Sequence, residues 1–401
     1  MYRCLLIVVT IASLASAADQ PAVEINGTRA RVTFISPEDA AKMKAAGVID
    51  ITFKKEATDE GFATIRRTPW VTRVELEFGN ENISSFEPIS ACTSLERFTS
   101  RTQKMSKTKR FSVKPFAKMT SLHELDFYAT RIADTDALAG LTKLRRLSFY
   151  MSAVDSIECV RTMRDLEDLS LYGSQHTFPD YEPIRGLPKL KKLNLYMNKV
   201  PTDKLPVVGS LTALEEFTLM FNPATHINFL KPCTKMKYLN INWNKQLTDI
   251  TAVAGMKELT TIDIRDSVVS DISALTNCPK LNNVSIEGTK VTDLNAFAKL
   301  PNLRRLDASE IAISDLSPLA KCPNISYLKL NKTNVSDISP LAGLTHLTTL
   351  DLASTKVTDV TALANCKALF RLTVPTAVPD EQIEALKKNA KRLRSVRKSD
   401  K

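Results

Sequence analysis

The sequence lacks the short motifs that mark common catalytic and metal sites. It has only four histidines, none of them in a His-Glu-x-x-His pattern, and its seven cysteines show no Cys-x-x-Cys spacing. A zinc site therefore has little support. The chain also has no Gly-x-Ser-x-Gly elbow and no phosphate loop ending in Gly-Lys-Ser or Gly-Lys-Thr. We expect a protein that is not an enzyme and that carries no metal and no cofactor.

Long hydrophobic runs are also scarce. An uncharged run from Cys4 to Leu14 follows Arg3 and precedes the small residues at 15–17. This layout is typical of a cleavable secretory signal. The run is shorter than the roughly 20 residues that a membrane-spanning helix needs. The sequence therefore predicts a signal peptide over residues 1–17 and a secreted, periplasmic or cell-surface protein.

One apolar pattern, L-x-x-L-x-L with other large apolar residues allowed for Leu, recurs along most of the chain. From Leu259 to Leu369 the step between consecutive units is constant. In a strand, side chains alternate between the two faces, so the apolar positions of each unit point inward and the intervening positions point outward. Stacked units bury one another and form a solenoid. The first residues of the pattern are Val48, Val71, Leu95, Leu122, Leu144, Leu166, Leu190, Leu214, Met236, Leu259, Leu281, Leu303, Ile325, Leu347 and Leu369.

Two segments, Val335–Leu344 and Ile313–Leu319, resemble the internalin-type bacterial leucine-rich repeat. The resemblance covers roughly residues 48–374. It implies an α/β leucine-rich-repeat solenoid (horseshoe) with a concave parallel β-sheet and short helical or irregular convex segments. It also implies a binding module that recognises a protein or a glycan through its concave face. Residues 58–62 resemble a related bacterial variant, so we expect the two ends of the array to differ on the convex side.

The predicted organisation has four parts. The signal peptide is followed by an N-terminal cap over residues 18–47, which includes a short helix beginning at Pro37 and closed by Gly47. An array of about 15 units spans residues 48–376. A C-terminal helical cap and basic tail occupy residues 377–401, where Asp380 and Glu381 lie in the first turn of the predicted helix.

Two residue columns follow from the repeat register. An aspartate recurs once in every unit, with the same constant step, from Asp249 to Asp359. We favour a structural role over a calcium site, because an Asp side chain at such a turn accepts backbone N–H bonds.

Cysteines recur at one apolar position of alternate units. These cysteines, Cys278, Cys322 and Cys366, are too far apart for disulfides. The sequence therefore predicts buried free thiols.

Aromatic residues follow the strand pattern in consecutive units and form the candidate binding residues. They can bind a partner, or they can stack on one another and stiffen the sheet. The sequence leaves both interpretations open. Neighbouring outward positions alternate in charge and are predicted to pair with one another. The candidate binding residues are Tyr128, Tyr150, Tyr172, Tyr196, Phe221 and Trp243.

The net charge of +11 is concentrated in two segments. Such a basic patch can bind an anionic surface. We expect the protein to be a monomer and to have no nucleic acid partner. The alternative to a binding module is a structural envelope-associated protein held by its basic tail without a specific ligand. The candidate basic residues are Lys104, Lys107, Lys109, Arg110, Lys387, Lys388, Lys391, Arg392 and Arg394.

Overall fold

The computed structural model describes residues 23–101, 110–173 and 180–400. The predicted signal peptide lies outside these residues. Each of the fifteen pattern positions is followed two residues later by a β-strand, which confirms the predicted register. The chain divides into two compact units, residues 1–194 and residues 195–401, called here the first and second units.

The strands of the first unit are β1 Val23–Asn26, β2 Arg29–Val32, β3 Asp50–Phe53, β4 Arg73–Leu76, β5 Arg97–Arg101, β6 Phe111–Ser112, β7 Glu124–Tyr128, β8 Ile132–Ala133, β9 Arg146–Tyr150, β10 Asp168–Ser170 and β11 Lys192–Asn194. Seven of them pair in parallel in the order β3, β4, β5, β7, β9, β10 and β11. β1 and β2 form an antiparallel hairpin, and β2 joins β3 in parallel. A small second sheet pairs β6 with β8.

The strands of the second unit are β12 Glu216–Thr218, β13 Tyr238–Asn240, β14 Thr261–Asp263, β15 Asn283–Ser285, β16 Arg305–Asp307, β17 Tyr327–Lys329, β18 Thr349–Asp351, β19 Arg371–Val374 and β20 Ser395–Lys398. They form one parallel series in chain order. We call the side of each sheet that carries the outward strand positions the sheet face.

Short 3-10 helices return the chain between most strands, because the short repeat period leaves no room for long helices. In the second unit they include Thr251–Gly255, Ser273–Asn277, Ser317–Lys321 and Thr361–Asn365. The first unit begins differently, with α1 at Pro37–Ala45 and α2 at Asp59–Ala63. The expected difference between the two ends is therefore present.

The aspartate column starts these 3-10 helices. Each Oδ1 atom accepts the backbone N–H two residues later, at 2.7 Å for Asp249 with Thr251 and at 2.8 Å for Asp315 with Ser317. Because this bond favours the charged carboxylate, it holds the pKa of Asp249 and of Asp315 below the ordinary value. The structural role is confirmed for this column.

The core lies between the sheets and the 3-10 helices. The apolar pattern residues are buried, as at Leu144 and Leu147. In the first unit a cluster of phenylalanines fills this space, with the rings of Phe127 and Phe149 stacked 5.9 Å apart. No helix in the described part of the chain has the length and apolarity of a membrane-spanning segment.

The six described cysteines are buried and form no disulfide, as predicted. Five of these thiols, those of Cys92, Cys233, Cys278, Cys322 and Cys366, donate to backbone carbonyls about one coil earlier, as from Cys322 Sγ to the Phe297 oxygen at 3.1 Å. Burial raises the pKa of Cys322 to about 11 and that of Cys159 to about 12. A thiol with such a pKa is protonated near neutral pH and is a poor nucleophile.

The C-terminal segment is more ordered than a solvated tail. Helix α3 spans Asp380–Asn389 and buries Ile383 and Leu386. Strand β20 then pairs with β19, and Asp400 accepts hydrogen bonds from Thr376. The predicted basic tail is therefore part of the fold of the second unit up to this residue.

Candidate functional site

The tyrosines of the first unit form a stack along the sheet face. Tyr128 and Tyr150 end β7 and β9 and lie opposite each other in register, and Tyr172 follows β10. The ring centroids of Tyr128 and Tyr150 are 5.2 Å apart, and those of Tyr150 and Tyr172 are 3.9 Å apart with nearly parallel planes. The faces between these rings are therefore covered, while all three residues keep part of their surface in solvent.

Phe78 extends this stack and was missed in the sequence. Its ring centroid lies 5.7 Å from that of Tyr128, and its residue surface is 47% exposed. Phe78 occupies the position seven residues after the start of its repeat pattern, the position that Met151 and Phe221 hold in theirs. This equivalence of repeat positions could have identified Phe78 as a candidate from the sequence alone. In the next repeat, Arg101 lies six residues after the start of the pattern, at the position that Tyr128 holds in its own repeat. The residue that would correspond to Phe78 there lies outside the described part of the chain.

A shallow recess of about 350 Å³ lies beside the stack. It is lined by Phe78, Arg101, Asp126, Tyr128, Ser148 and Tyr150.

Burial raises the pKa of the Asp126 carboxyl in this recess, although a hydrogen bond with Ser148 and the charge of Arg101 oppose the shift. Arg101 Nε also lies 3.5 Å from a carboxylate oxygen of Glu75. The recess thus places one partly desolvated carboxylate next to the exposed rims of aromatic rings.

The charged positions of the first unit pair with one another, as predicted. Glu124 lies between Arg97 and Arg146, with N–O distances of 2.7 Å and 3.3 Å. Lys191 Nζ lies 2.8 Å from Glu167 Oε2. These residues line a larger polar cavity of about 490 Å³ at the start of the strands. Because its charges are largely balanced, this cavity is a weaker candidate than the aromatic residues.

The second unit carries its own aromatic group. The rings of Phe221 and Trp243 stack with centroids 4.8 Å apart, and the ring of Tyr196 meets Phe221 edge-on at 5.5 Å. Lys245 Nζ lies 5.4 Å from the Trp243 centroid. Phe221 and Trp243 are each 38% exposed. Rings that remain this exposed after stacking are available for contact.

The backbone at these residues is unusual for bulky side chains. Met197, Phe221 and Trp243 have φ angles of 55°, 54° and 56°, in the left-handed region. Glycine holds the same repeat position at Gly173 and Gly288, also with positive φ. Glycine adopts this conformation without steric cost, whereas a large L residue does not. The fold alone therefore does not require large apolar side chains here.

The basic candidates fall into separate groups. Lys104, Lys107 and Lys109 lie outside the described residues. Arg110 forms two hydrogen bonds with the Asp155 carboxylate, at 2.6 Å and 2.9 Å, so its charge is balanced.

The C-terminal candidates are exposed, and only Lys387 among them has an ion-pair partner, Glu384 at 2.7 Å, in the described part of the chain. Within the same residues, no three His, Cys, Asp or Glu side chains come together as a metal-ligand set.

Comparison with known proteins agrees with the repeat register. The family model described as Leucine Rich repeats (2 copies) matches residues 301–342 and 323–365. An internalin (inlF) from Listeria monocytogenes is 27% identical, with a TM-score of 0.66 over 74% of this chain and 84% of that chain. No curated protein matches the chain in sequence.

Two further solved structures share the fold. A leucine-rich-repeat protein of Leptospira interrogans has a TM-score of 0.77 at 15% identity, over 91% of this chain and 93% of that chain. The functional domain of InlJ from Listeria monocytogenes has a TM-score of 0.60 at 19% identity, over 85% and 76%. The chain thus has a leucine-rich-repeat fold, and its repeats are similar to those of bacterial internalins. Stacked repeats of this kind present extended binding surfaces.

Proposed function

We propose that this chain is an exported binding module that recognises a protein partner through the aromatic residues of its sheet faces. These residues are the Tyr128, Tyr150 and Tyr172 stack with Phe78 in the first unit, and Tyr196, Phe221 and Trp243 in the second. Export is supported by the N-terminal sequence pattern. Partner binding is supported by the fold and by the exposed aromatic surface.

The observation that carries the proposal is the pair of exposed rings at Phe221 and Trp243, which stack 4.8 Å apart and are each 38% exposed. The backbone at this repeat position is left-handed in most units, whether it carries a ring or a polar residue such as Asp266 or Ser354. The repeat fold therefore does not select large rings here, and their exposure supports a role in contact. Aromatic and methionine side chains are also the residues that the centres of protein interfaces favour.

The stacking geometry favours a protein over a glycan. A sugar ring that packs flat against an aromatic side chain needs an open ring face. In the first unit the neighbouring tyrosines cover these faces, with Tyr150 and Tyr172 separated by 3.9 Å. Part of the surface of each tyrosine stays in solvent, and partly exposed tyrosines suit the mixed polar and apolar surface of a protein.

Affinity capture with the full chain tests the proposal. Immobilised wild-type protein and ring variants are incubated with the native envelope fraction, and bound proteins are identified by mass spectrometry. One variant combines Tyr150→Ala with Tyr172→Ala, and a second combines Phe221→Ala with Trp243→Ala. A partner should be retained by the wild type and lost by at least one of these variants.

Phe370→Ala is the matched control, because Phe370 is a 44% exposed aromatic residue outside both groups. The control should capture the partner as the wild type does. Thermal unfolding of each protein by circular dichroism shows that the variants are folded. Equal capture by all folded variants would contradict a role for the aromatic residues.

A further inference from the structure

A group of five cations at the C-terminal end of the second unit is not used by the proposed aromatic interface. We call Lys388, Lys391, Arg392, Arg394 and Arg397 the C-terminal basic patch. All five are exposed, and none forms an ion pair within the described residues. The interval from Lys387 to Lys398 contains seven lysines or arginines and no acidic residue.

The fold holds these cations in place. Ile383 and Leu386 anchor α3 in the core, and the Gln382 side chain accepts the Val360 N–H at 2.8 Å. Strand β20 is paired with β19, and Lys398 Nζ lies 2.7 Å from Asp380 Oδ1. The basic patch is therefore preorganised, so that binding would not have to order a flexible tail.

The nearby acids do not neutralise the patch. Glu384 is paired with Lys387, Asp380 with Lys398, and Asp400 with the Thr376 backbone and hydroxyl. Each of these acids therefore interacts with a residue that does not belong to the patch. An excess of positive charge therefore remains at this end of the unit, where it attracts an anionic surface.

The kind of anion follows from what surrounds the charges. Residues 377–401 contain no aromatic residue, so the segment offers no platform on which nucleic acid bases could stack. The cations come from the end of α3, the following turn and β20, which are consecutive pieces of chain rather than the two walls of a cleft. Such a distribution suits the plane of anionic headgroups at a bilayer surface. Each basic residue near that surface strengthens association about fivefold.

We propose that the C-terminal basic patch docks the folded protein on anionic lipid bilayers. Since no aromatic side chain accompanies the charges, the contact is electrostatic and is weakened by salt. This docking is independent of the aromatic interface proposed above.

Vesicle co-sedimentation with the full chain tests the proposal. Phosphatidylcholine vesicles with and without phosphatidylglycerol are compared at low and at physiological salt. The wild type should bind only the anionic vesicles, and less at the higher salt. The triple variant Lys388→Glu, Lys391→Glu and Arg392→Glu should bind them at least about tenfold more weakly. Deletion of residues 387–401 is unsuitable, because it would remove β20 and the end of α3.

A second triple variant controls for net charge. It combines Lys290→Glu, Lys299→Glu and Lys321→Glu, which change three exposed lysines elsewhere in the second unit. The control should bind anionic vesicles within about threefold of the wild type, because its charges lie outside the patch.

Three results would overturn the proposal. They are an equal loss of binding in both triple variants, full binding by the patch variant, and wild-type binding to duplex or single-stranded DNA without binding to anionic vesicles. Circular dichroism checks that each variant is folded. If the glutamate variant of the patch unfolds, the corresponding glutamine variant replaces it, with the same expected direction.

Discussion

Replacement of Trp243 by glycine and by alanine tests whether the left-handed backbone is a real feature of the second unit. At an ordinary position alanine is more favourable than glycine, because glycine loses more conformational freedom on folding. Trp243 has a φ of 56°, where a Cβ atom is sterically disfavoured. We therefore expect the usual order to reverse, with Trp243→Gly more stable than Trp243→Ala by about 1 kcal/mol.

The loss of the ring affects both variants equally. Trp243 is 38% exposed, so roughly three-fifths of its surface is covered. For a large aromatic side chain this amounts to roughly 150 Å², which corresponds to at most about 4 kcal/mol at 25 cal/mol per Å². Both variants are thus expected to be less stable than the wild type, and their difference isolates the backbone contribution.

Urea unfolding followed by far-ultraviolet circular dichroism measures this difference, provided that the variants share one m-value. Gly288→Ala is the matched control, because Gly288 holds the same repeat position with a φ of 64°. It should lose about 1 kcal/mol or more, since the new methyl group would also lie 3.3 Å from an Asp266 carboxylate oxygen. Equal or greater stability of Trp243→Ala relative to Trp243→Gly would refute the strain argument.

Four further outcomes are expected. The described cysteines should resist a thiol-specific reagent in the native protein at neutral pH and react without prior reduction once the chain is unfolded, because they are buried free thiols of raised pKa. Asp249→Ala should lower stability by about 1 kcal/mol in urea unfolding at neutral pH. Because the folded-state pKa of Asp249 is lowered, this difference should vanish as the pH falls through that pKa. Asp126→Asn should raise stability at neutral pH, since burial raises the pKa of Asp126 and disfavours its charge; the gain should disappear below that pKa, and a decrease at neutral pH would contradict this account. Tyr150→Ala combined with Tyr172→Ala should weaken partner binding by about 2 kcal/mol or more in a titration with the captured protein, and full affinity in a folded double variant would exclude this stack as the binding site.

The repeat pattern made most of the fold predictable. A strand pattern that recurs at a regular period fixes both the register and the inward side chains, and the fifteen strands follow it. The hairpin of β1 and β2 and the final strand β20 were not predicted. Ser395–Lys398 reads as a charged segment, and only its pairing with β19 makes it a strand. Pairing of this kind depends on the exposed end of the array, which no local pattern reveals.

The site was predictable only where the repeat spacing was regular. Tyr128 and Tyr150 hold equivalent positions in consecutive repeats, so that their stacking followed from the register. Phe78 lies two repeats before Tyr128, across the longest interval of the array, and was missed. Asp126 was missed because an acid at an outward strand position reads as solvated, whereas neighbouring side chains partly bury it.

The arrangement in the first unit indicates how a partner would gain affinity there. Arg97, Glu124 and Arg146 satisfy one another on one side of the sheet face, and the tyrosine stack occupies the other. A partner that docks on the stack need not supply charged groups to pair with Arg97, Glu124 and Arg146. Its affinity would then come mainly from apolar contact, which salt screens little, whereas contact at the C-terminal basic patch is screened strongly. The ionic strength of the assay can therefore distinguish binding at the aromatic residues from binding at the C-terminal basic patch.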